Sequence, residues 1–381
     1  MVRFLHTADW QLGMTRHFLD TEAQARFSQA RIDAVETIGR LAVEQKCTFV
    51  LVCGDVFETN HVERRVIVRA LEAMGKTPEV TFFLLPGNHD PVNASSVFTS
   101  TTFTERCPDN VRVLAEPGTV DVTTDGAANV RLLPAPWTSK RPIEDLVGKV
   151  IAETPADDAM TIVVGHGSVD VLDPDTKKVE LIRLADLEAA ITDGRVQYVA
   201  LGDRHSTTSV GTTGRIWYSG APEPTDYRET DPGNVLVVEL EDGAINVEQH
   251  RVGMWNFHTL EFDLRGADDI DRLSSALAAI DNKAVAITQL KLVGQLSLGD
   301  KLRLDSILAA ESDTFGSLNT WERHSDLVVL PGDNDFTPLG LSGFARDALD
   351  ELVNRAGGDD TEPATAQDAL GLLYRLAGGG A

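Results

Sequence analysis

Five short clusters hold the side chains best suited to chemistry: Asp9 with Gln11, Asp55, Asn88 with His89, His166, and Asp203 with His205. Each follows an apolar run directly: Val2–Leu5, Thr48–Cys53, Val80–Leu85, Thr161–Val164 and Tyr198–Leu201. Carboxylate and amide oxygens are ligands for hard divalent cations, and imidazole nitrogen is tolerated beside them. Singly, each cluster reads as a loop carboxylate or a surface histidine. Five on one sheet edge read as a site for two cations. Two ions need a shared carboxylate, and Asp55, on the central strand, is the natural bridge. Such a pair, ~3.5–4 Å apart, activates water and neutralises an in-line phosphoryl transition state, which is phosphoester hydrolysis.

The elements that must present these clusters are legible. Pro86-Gly87 stops the run Val80–Leu85 and turns the chain sharply, presenting Asn88 and His89 just beyond the strand end. Between Glu22 and Lys46 the residues Phe27, Ala30, Ala34, Ile38, Leu41 and Ala42 recur at helical spacing, and a second helix is expected over Val62–Met74. Strands with continuous apolar character alternating with helices argue for a parallel sheet covered on both faces, whose ligands sit at the carboxyl ends of the strands. Val111–Leu114, Val120–Thr123 and Val130–Leu133 read as a meander beside that sheet, and Ile216–Tyr218 and Val235–Leu240 add strands. The expected architecture is two sheets face to face with helices outside.

Beyond Gly253, the segments Leu260–Leu264, Asp269–Ile280, Ala284–Val293 and Leu302–Leu308 suggest a small α+β unit. Pro331–Asp335 reads as a linker, helices are expected around Phe344–Val353 and Ala366–Leu376, and Gly378–Gly380 as a frayed tail. The expected domains are residues 1–252, 253–335 and 336–381. Net charge is −25, from 34 basic and 59 acidic residues, which excludes non-specific nucleic-acid binding by the bare surface. Bound cations, local arginines or a partner must therefore draw in a phosphate substrate. No run approaches the ~20 apolar residues of a membrane span, and Met1-Val2-Arg3 opens no secretory signal. Cys47, Cys53 and Cys107 have no paired spacing and read as reduced thiols. The expected location is cytoplasmic, with no membrane partner.

The clusters resemble the motif set of the calcineurin-like metallophosphoesterases: Asp-x-His, Gly-Asp, Gly-Asn-His-Asp/Glu, a lone Gly-His and Gly-His-x-His. Here they stand as Asp9-Trp10-Gln11, Gly54-Asp55, Gly87-Asn88-His89-Asp90, Gly165-His166 and Gly202-Asp203-Arg204-His205. Within that superfamily Leu5–Gly13, Gly54–Phe57 and Tyr218–Pro222 with Asp226-Tyr227 look like the SbcD-type nuclease subunits of DNA repair complexes. The resemblance spans about residues 1–245. It implies an α/β, two-sheet sandwich flanked by helices, with the α+β unit as a capping domain and the C-terminal helices as the segment that binds an SMC-like coiled-coil ATPase.

By the same resemblance, Asp9, Gln11, Asp55 and His205 hold one ion and Asp55, Asn88, His166 and Asp203 the other, while His89 acts at the scissile phosphate. Two positions depart from the family: Gln11 stands for a His, and Asp203 for the first His of Gly-His-x-His. Both changes add oxygen ligands, so manganese is expected first, with magnesium as the alternative and zinc disfavoured. His61 is a candidate for a catalytic histidine that the nuclease branch places after Phe, although an exposed loop position fits it better. Arg64, Arg65 and Arg69 are candidates for phosphate contact or for a solvated helix face, and Trp10 for packing rather than base stacking.

The leading expectation is a metal-dependent DNA exonuclease/endonuclease subunit. A phosphodiesterase or phosphatase for a small nucleotide or another phosphoester, and a non-catalytic scaffold for the ATPase, stand beside it. Homodimerisation is left open.

Overall fold

The computed structural model describes residues 1–123, 129–155, 157, 159–241, 243–330, 341–357 and 363–376. The chain divides into two compact units: Met1–His17 with Gln24–Trp255, and Phe18–Ala23 with Asn256–Ala381.

In the first unit the chain runs β1 (Val2–Thr7), α1 (Thr21–Glu44), β2 (Phe49–Cys53), α2 (Arg64–Gly75), β3 (Thr81–Leu85), α3 (Thr101–Arg106) and β4 (Val111–Val113). It continues with β5 (Val120–Thr123), β6 (Asn129–Pro134), α4 (Leu146–Ala152), β7 (Met160–His166), α5 (Leu184–Thr192) and β8 (Tyr198–Gly202). The last strands are β9 (Thr208–Val210), β10 (Ile216–Tyr218), β11 (Asn234–Glu241) and β12 (Ala244–Arg251). They form two six-stranded sheets, ordered β12-β11-β1-β2-β3-β4 and β5-β6-β7-β8-β10-β9. The central strands are parallel in both, so the carboxyl ends of β1, β2 and β3 share one edge, as do those of β7 and β8.

Side chains alternate across each strand, and every face of the central strands is covered. Phe4, Phe49, Leu51 and Phe83 face Val130, Leu132, Ile162, Tyr198 and Ala200 between the sheets. The opposite residues Leu5, Val50, Val52, Phe82 and Leu84 lie under Ile32, Val35 and Ile38 of α1 and Ile67 and Leu71 of α2. Val163, Val199 and Leu201 lie under Val147 and Ile151 of α4 and Leu187 of α5. Helix, sheet, sheet, helix is the layer order.

The expected meander over residues 111–133 is not formed. β4 pairs in parallel with β3, whereas β5 and β6 pair antiparallel and join the second sheet beside β7. Burial explains the split: Val111 belongs to the core beneath α1 and α2, while Leu114, Val130 and Leu132 belong to the core between the sheets. The chain therefore changes layer after β4.

The second unit holds β13 (Asn256–Leu264), α6 (Ala267–Ala278), β14 (Ala286–Ser297), α7 (Leu298–Ser312), β15 (Ser317–Thr320), β16 (Asp326–Leu330), α8 (Phe344–Gly357) and α9 (Pro363–Leu376). Its sheet is wholly parallel, with the long β14 serving β15 along its first half and β16 along its second. α8 and α9 pack on each other through Leu349 and Leu370, and Phe344, Leu372 and Leu376 stay exposed. The expected linker Pro331–Asp335 and tail Gly378–Gly380 lie outside the described residues. Among the described residues, no helix is long and apolar enough to cross a membrane.

One buried histidine joins the two sheets. His6 of β1 reaches β8, its Nε2–H donating to the Leu201 carbonyl at 3.1 Å while Nδ1 accepts from the Tyr198 hydroxyl at 3.1 Å. Burial pushes its pKa down to about 3, so the ring stays neutral. An unfolded histidine protonates near 6.5, so as pH falls from there towards 3 the unfolded chain gains a proton that the folded chain refuses, and stability drops. His6→Gln should flatten the pH dependence of urea unfolding between pH 6 and 4 by up to ~1.4 kcal/mol per pH unit. An unchanged slope would show that His6 does not control it.

Candidate metal centre

The loops after β1, β2, β3 and β8 meet through unusual backbone. Among the described residues, six non-glycine positions have positive φ, and four belong to this site: Asp9 (55°), Gln11 (45°), Asp55 (55°) and Asp203 (95°). Such conformations cost energy and persist only where the surroundings impose them. Here the main chain does so: Asp9 N donates to Gly54 O at 3.1 Å and Gln11 N to Asp55 O at 2.9 Å. Across the sheets, Asp203 N donates to both Asp9 carboxylate oxygens at 3.1 Å. Asp90 ties β2 to β3, its buried carboxylate accepting from Phe57 N at 2.9 Å and Gly87 N at 2.8 Å.

Around His166 the donors converge. Its Nδ1–H donates to the Cys53 carbonyl at 2.9 Å, which in the neutral ring leaves the Nε2 lone pair facing the site. Nε2 lies 2.7 Å from Asn88 Oδ1, 3.5 Å from Asp55 Oδ2 and 3.8 Å from Asp203 Oδ1. One ligand atom each from Asp9, Asp55 and His166 fall within 4.8 Å of one another, and all three residues are buried. A second group forms beside Asp9, where Gln11 Nε2 lies 3.3 Å from His205 Nε2 and the Gln11 Oε1 is buried without a partner. An amide turned over would point that orphaned oxygen where His205 points its nitrogen.

The electrostatics describe a place that wants positive charge. Burial pushes the Asp9 carboxyl up to about 7. Burial also raises Asp55, but the adjacent His166 imidazole more than offsets this and holds the carboxyl below its usual range. His166 itself is pulled down by burial and, more strongly, pushed well up by the carboxylates of Asp55, Asp9 and Asp203. Buried oxygens that pull a proton onto His166 so strongly make a place where a hard divalent cation can take the proton's part, and the carboxylate, amide and imidazole groups present fit that ion.

All seven metal-ligand candidates therefore lie in one place: Gln11 and His205 on one side, Asn88, His166 and Asp203 on the other, with Asp9 and Asp55 beside them. His89 lies at the rim. Its backbone N–H donates to Asp55 Oδ1 at 2.9 Å, and its Nδ1–H donates to the Glu58 carbonyl oxygen at 2.9 Å. That leaves Nε2 as the ring's other proton-carrying position.

Glu58 also brings a carboxylate oxygen to 3.9 Å from His89 Nδ1, a partner that no motif in the sequence marks. His61 is exposed in its loop and Arg64 and Arg65 are exposed on α2, while Arg69 is half-buried and donates to Gln29. Trp10 is buried, donating to Thr7 Oγ1 at 3.0 Å and standing edge-on to Phe82, and is unavailable for base stacking. Thr225 and Glu229, which bind His205 Nδ1 at 2.7 and 2.9 Å, carried no signal beyond a turn-rich composition.

Gly87 must be glycine for want of space: a Cβ there would lie 2.2 Å from Asp55 Oδ1 and 2.6 Å from its backbone nitrogen. Gly87→Ala should therefore displace Asp55 and weaken manganese binding about 10-fold or more, while circular dichroism stays native. Titration calorimetry checks this; unchanged affinity would separate Asp55 from the metal.

Residues 2–207 match the family described as calcineurin-like phosphoesterase. An SbcCD nuclease subunit from Rhodobacter capsulatus is 30% identical over 94 residues, 24% of this chain and 22% of that protein. The chain thus matches about a fifth of that relative's length. Among solved structures, a Thermus thermophilus protein is similar at 10% identity and a TM-score of 0.41, covering 66% of this chain and 99% of that one. A dimetal phosphatase from Danio rerio is similar at 12% identity and a TM-score of 0.41, covering 66% and 96%. The purple acid phosphatase of yellow lupin, Lupinus luteus, is similar at 12% and 0.37, covering 66% and 51%. The family match runs from β1 through His205, the whole span that supplies the clustered donors, and the chain belongs to the calcineurin-like phosphoesterases, as a hydrolytic metallophosphoesterase.

Proposed function

We propose that this protein is a DNA exonuclease/endonuclease subunit that hydrolyses phosphodiester bonds with two manganese ions, magnesium being the alternative. The observation that carries the reading is the paired convergence of acceptors, Asn88, Asp55 and Asp203 on His166 Nε2 and the orphaned Gln11 oxygen beside His205. In this reading Asp9, Gln11, Asp55 and His205 hold the first ion, and Asp55, Asn88, His166 and Asp203 the second. When bound, the ions would supply an activated water and neutralise charge on the phosphoryl group. Asp203 and Gln11 contribute oxygens where imidazoles would favour zinc, hence the manganese preference.

His89 is the general acid of this reading. Its Nδ1–H is held by the Glu58 carbonyl, a Glu58 carboxylate oxygen lies 3.9 Å from the same nitrogen, and Nε2 delivers the proton to the leaving oxygen. The residue is only partly covered, which suits a group that must meet substrate.

The nuclease assignment is supported by the likeness to the SbcCD nuclease and by the opening residues Leu5–Gly13. Residues 253–335 would serve as a capping domain. Phe344, Leu372 and Leu376, apolar yet exposed on α8 and α9, would dock an SMC-like coiled-coil ATPase, so Phe344→Asp with Leu376→Asp should abolish its pull-down. The net charge of −25 favours a second reading, a phosphodiesterase for a small nucleotide that needs no basic surface.

One experiment separates the two. Purified protein with manganese is offered labelled linear DNA and a chromogenic aryl phosphodiester, alone and with the ATPase. Cleavage of both supports the nuclease; cleavage of the chromogenic diester alone, with or without the ATPase, supports the second reading. Asp55→Ala should abolish either activity, and His89→Ala should lower turnover by ~10²–10⁴-fold with metal content intact. Loss of metal in His89→Ala would make that residue structural.

A further inference from the structure

His205 approaches the centre from a loop whose other end has nothing to do with metal. Arg31, fully buried on α1, donates to Trp10 O at 3.1 Å and to Pro224 O at 2.9 Å, and Arg16 donates to Thr225 O. These cations pin residues 223–225 beneath the loop that carries Asp9 and Gln11. Glu223 is buried in turn, its carboxylate accepting from Met254 N at 2.9 Å and Trp255 N at 3.1 Å. The consequence falls on Thr225 and Glu229.

We infer that Glu229 is a positioning residue that sets the tautomer of His205 and aims its Nε2 at the centre. This rests on the two-ion reading above and deepens it. The reasoning is an accounting of protons. Glu229 Oε2 accepts from Thr225 N at 2.9 Å, and Oε1 meets both the Thr225 hydroxyl and His205 Nδ1, the latter at 2.9 Å. A carboxylate only accepts, so the single Thr225 hydroxyl proton points to Glu229. The hydroxyl oxygen is then left as an acceptor towards His205 Nδ1, 2.7 Å away. Nδ1 therefore faces two acceptors and carries the proton, and in the neutral ring that a metal requires Nε2, beside Gln11, presents the lone pair. Without the carboxylate the hydroxyl is free to turn and donate to Nδ1, which moves the ring proton to Nε2 and blocks coordination. Thr225 alone cannot choose between the tautomers; Glu229 does.

The isosteric Glu229→Gln tests this. Thr225 N–H keeps the amide oxygen in the Oε2 position, so the amide NH₂ takes the Oε1 position and donates towards His205 Nδ1. Manganese titration of the full chain should show the first ion bound about 10–100-fold more weakly and the second unchanged. With magnesium, ¹⁵N correlation spectra should show His205 as Nδ1–H in the parent and Nε2–H in the variant. Glu229→Gln in a His205→Ala background should cost no further affinity, since Glu229 acts through that ring. Thr225→Val leaves His205 hydrogen-bonded directly to Glu229, so it should keep the Nδ1–H tautomer and lose affinity only a few-fold.

Retention of both the tautomer and first-ion affinity in Glu229→Gln would overturn the inference, as would equal weakening of both ions. If Glu229→Gln does not fold, Thr225→Val decides: loss of the first ion there would overturn it, and the Nδ1–H tautomer would support it. A parent that binds no divalent ion would instead remove the reading on which it rests.

Discussion

Two buried carboxylates, Asp9 and Asp55, are held with His166 so close that their ligand atoms lie within 4.8 Å of one another. Gathering acceptors in a place that water hardly reaches is costly, and folding must supply the difference from elsewhere. The supply is the core between the sheets, where aromatic and branched side chains of both layers are removed from water almost completely. The site lies at the carboxyl edge of that core because the strands supplying the ligands end there. A divalent cation turns the mutual repulsion into attraction, so binding and stability should be thermodynamically linked.

The same demand reaches the backbone. Left-handed conformations at Asp9, Gln11, Asp55 and Asp203 aim four side chains at one point, which strands continued in regular geometry would send to alternate faces. Close approach is also required between layers: a Cβ on Gly202 would lie 1.9 Å from the Cys53 carbonyl oxygen. His6, bonded to Tyr198 and Leu201, keeps β1 and β8 in register just before both strands open into the loops of the candidate site. The inter-sheet spacing is thus set by directed hydrogen bonds as well as by packing.

A metal-dependent phosphoester hydrolase with a strongly acidic sequence must concentrate its attraction for substrate at a small place. The described residues near the site do so sparingly: Arg16 and Arg31 are committed to main-chain carbonyls, and Arg64 and Arg65 lie out on a helix face. Under the proposed function, bound cations, His89 beside Glu58, and Arg204, exposed between Asp203 and His205, would draw in the substrate. This economy suits a subunit that borrows nucleic-acid affinity from a partner, or an enzyme whose substrate is small.

The sequence by itself determined the parallel strands, their flanking helices and the ligand types, because apolar runs ending in glycine and polar residues are local patterns that survive any reasonable packing. It named Asp9, Gln11, Asp55, Asn88, His89, His166, Asp203 and His205 as candidates from those patterns. Tertiary structure alone decided the layer to which β4, β5 and β6 belong, since that depends on which core each strand covers. It also brought Glu58 to His89, and Thr225 and Glu229 to His205. No periodicity marks such residues. Their role arises from a distance across space, set by buried Arg31 and by loops that meet only when both sheets have closed on one another.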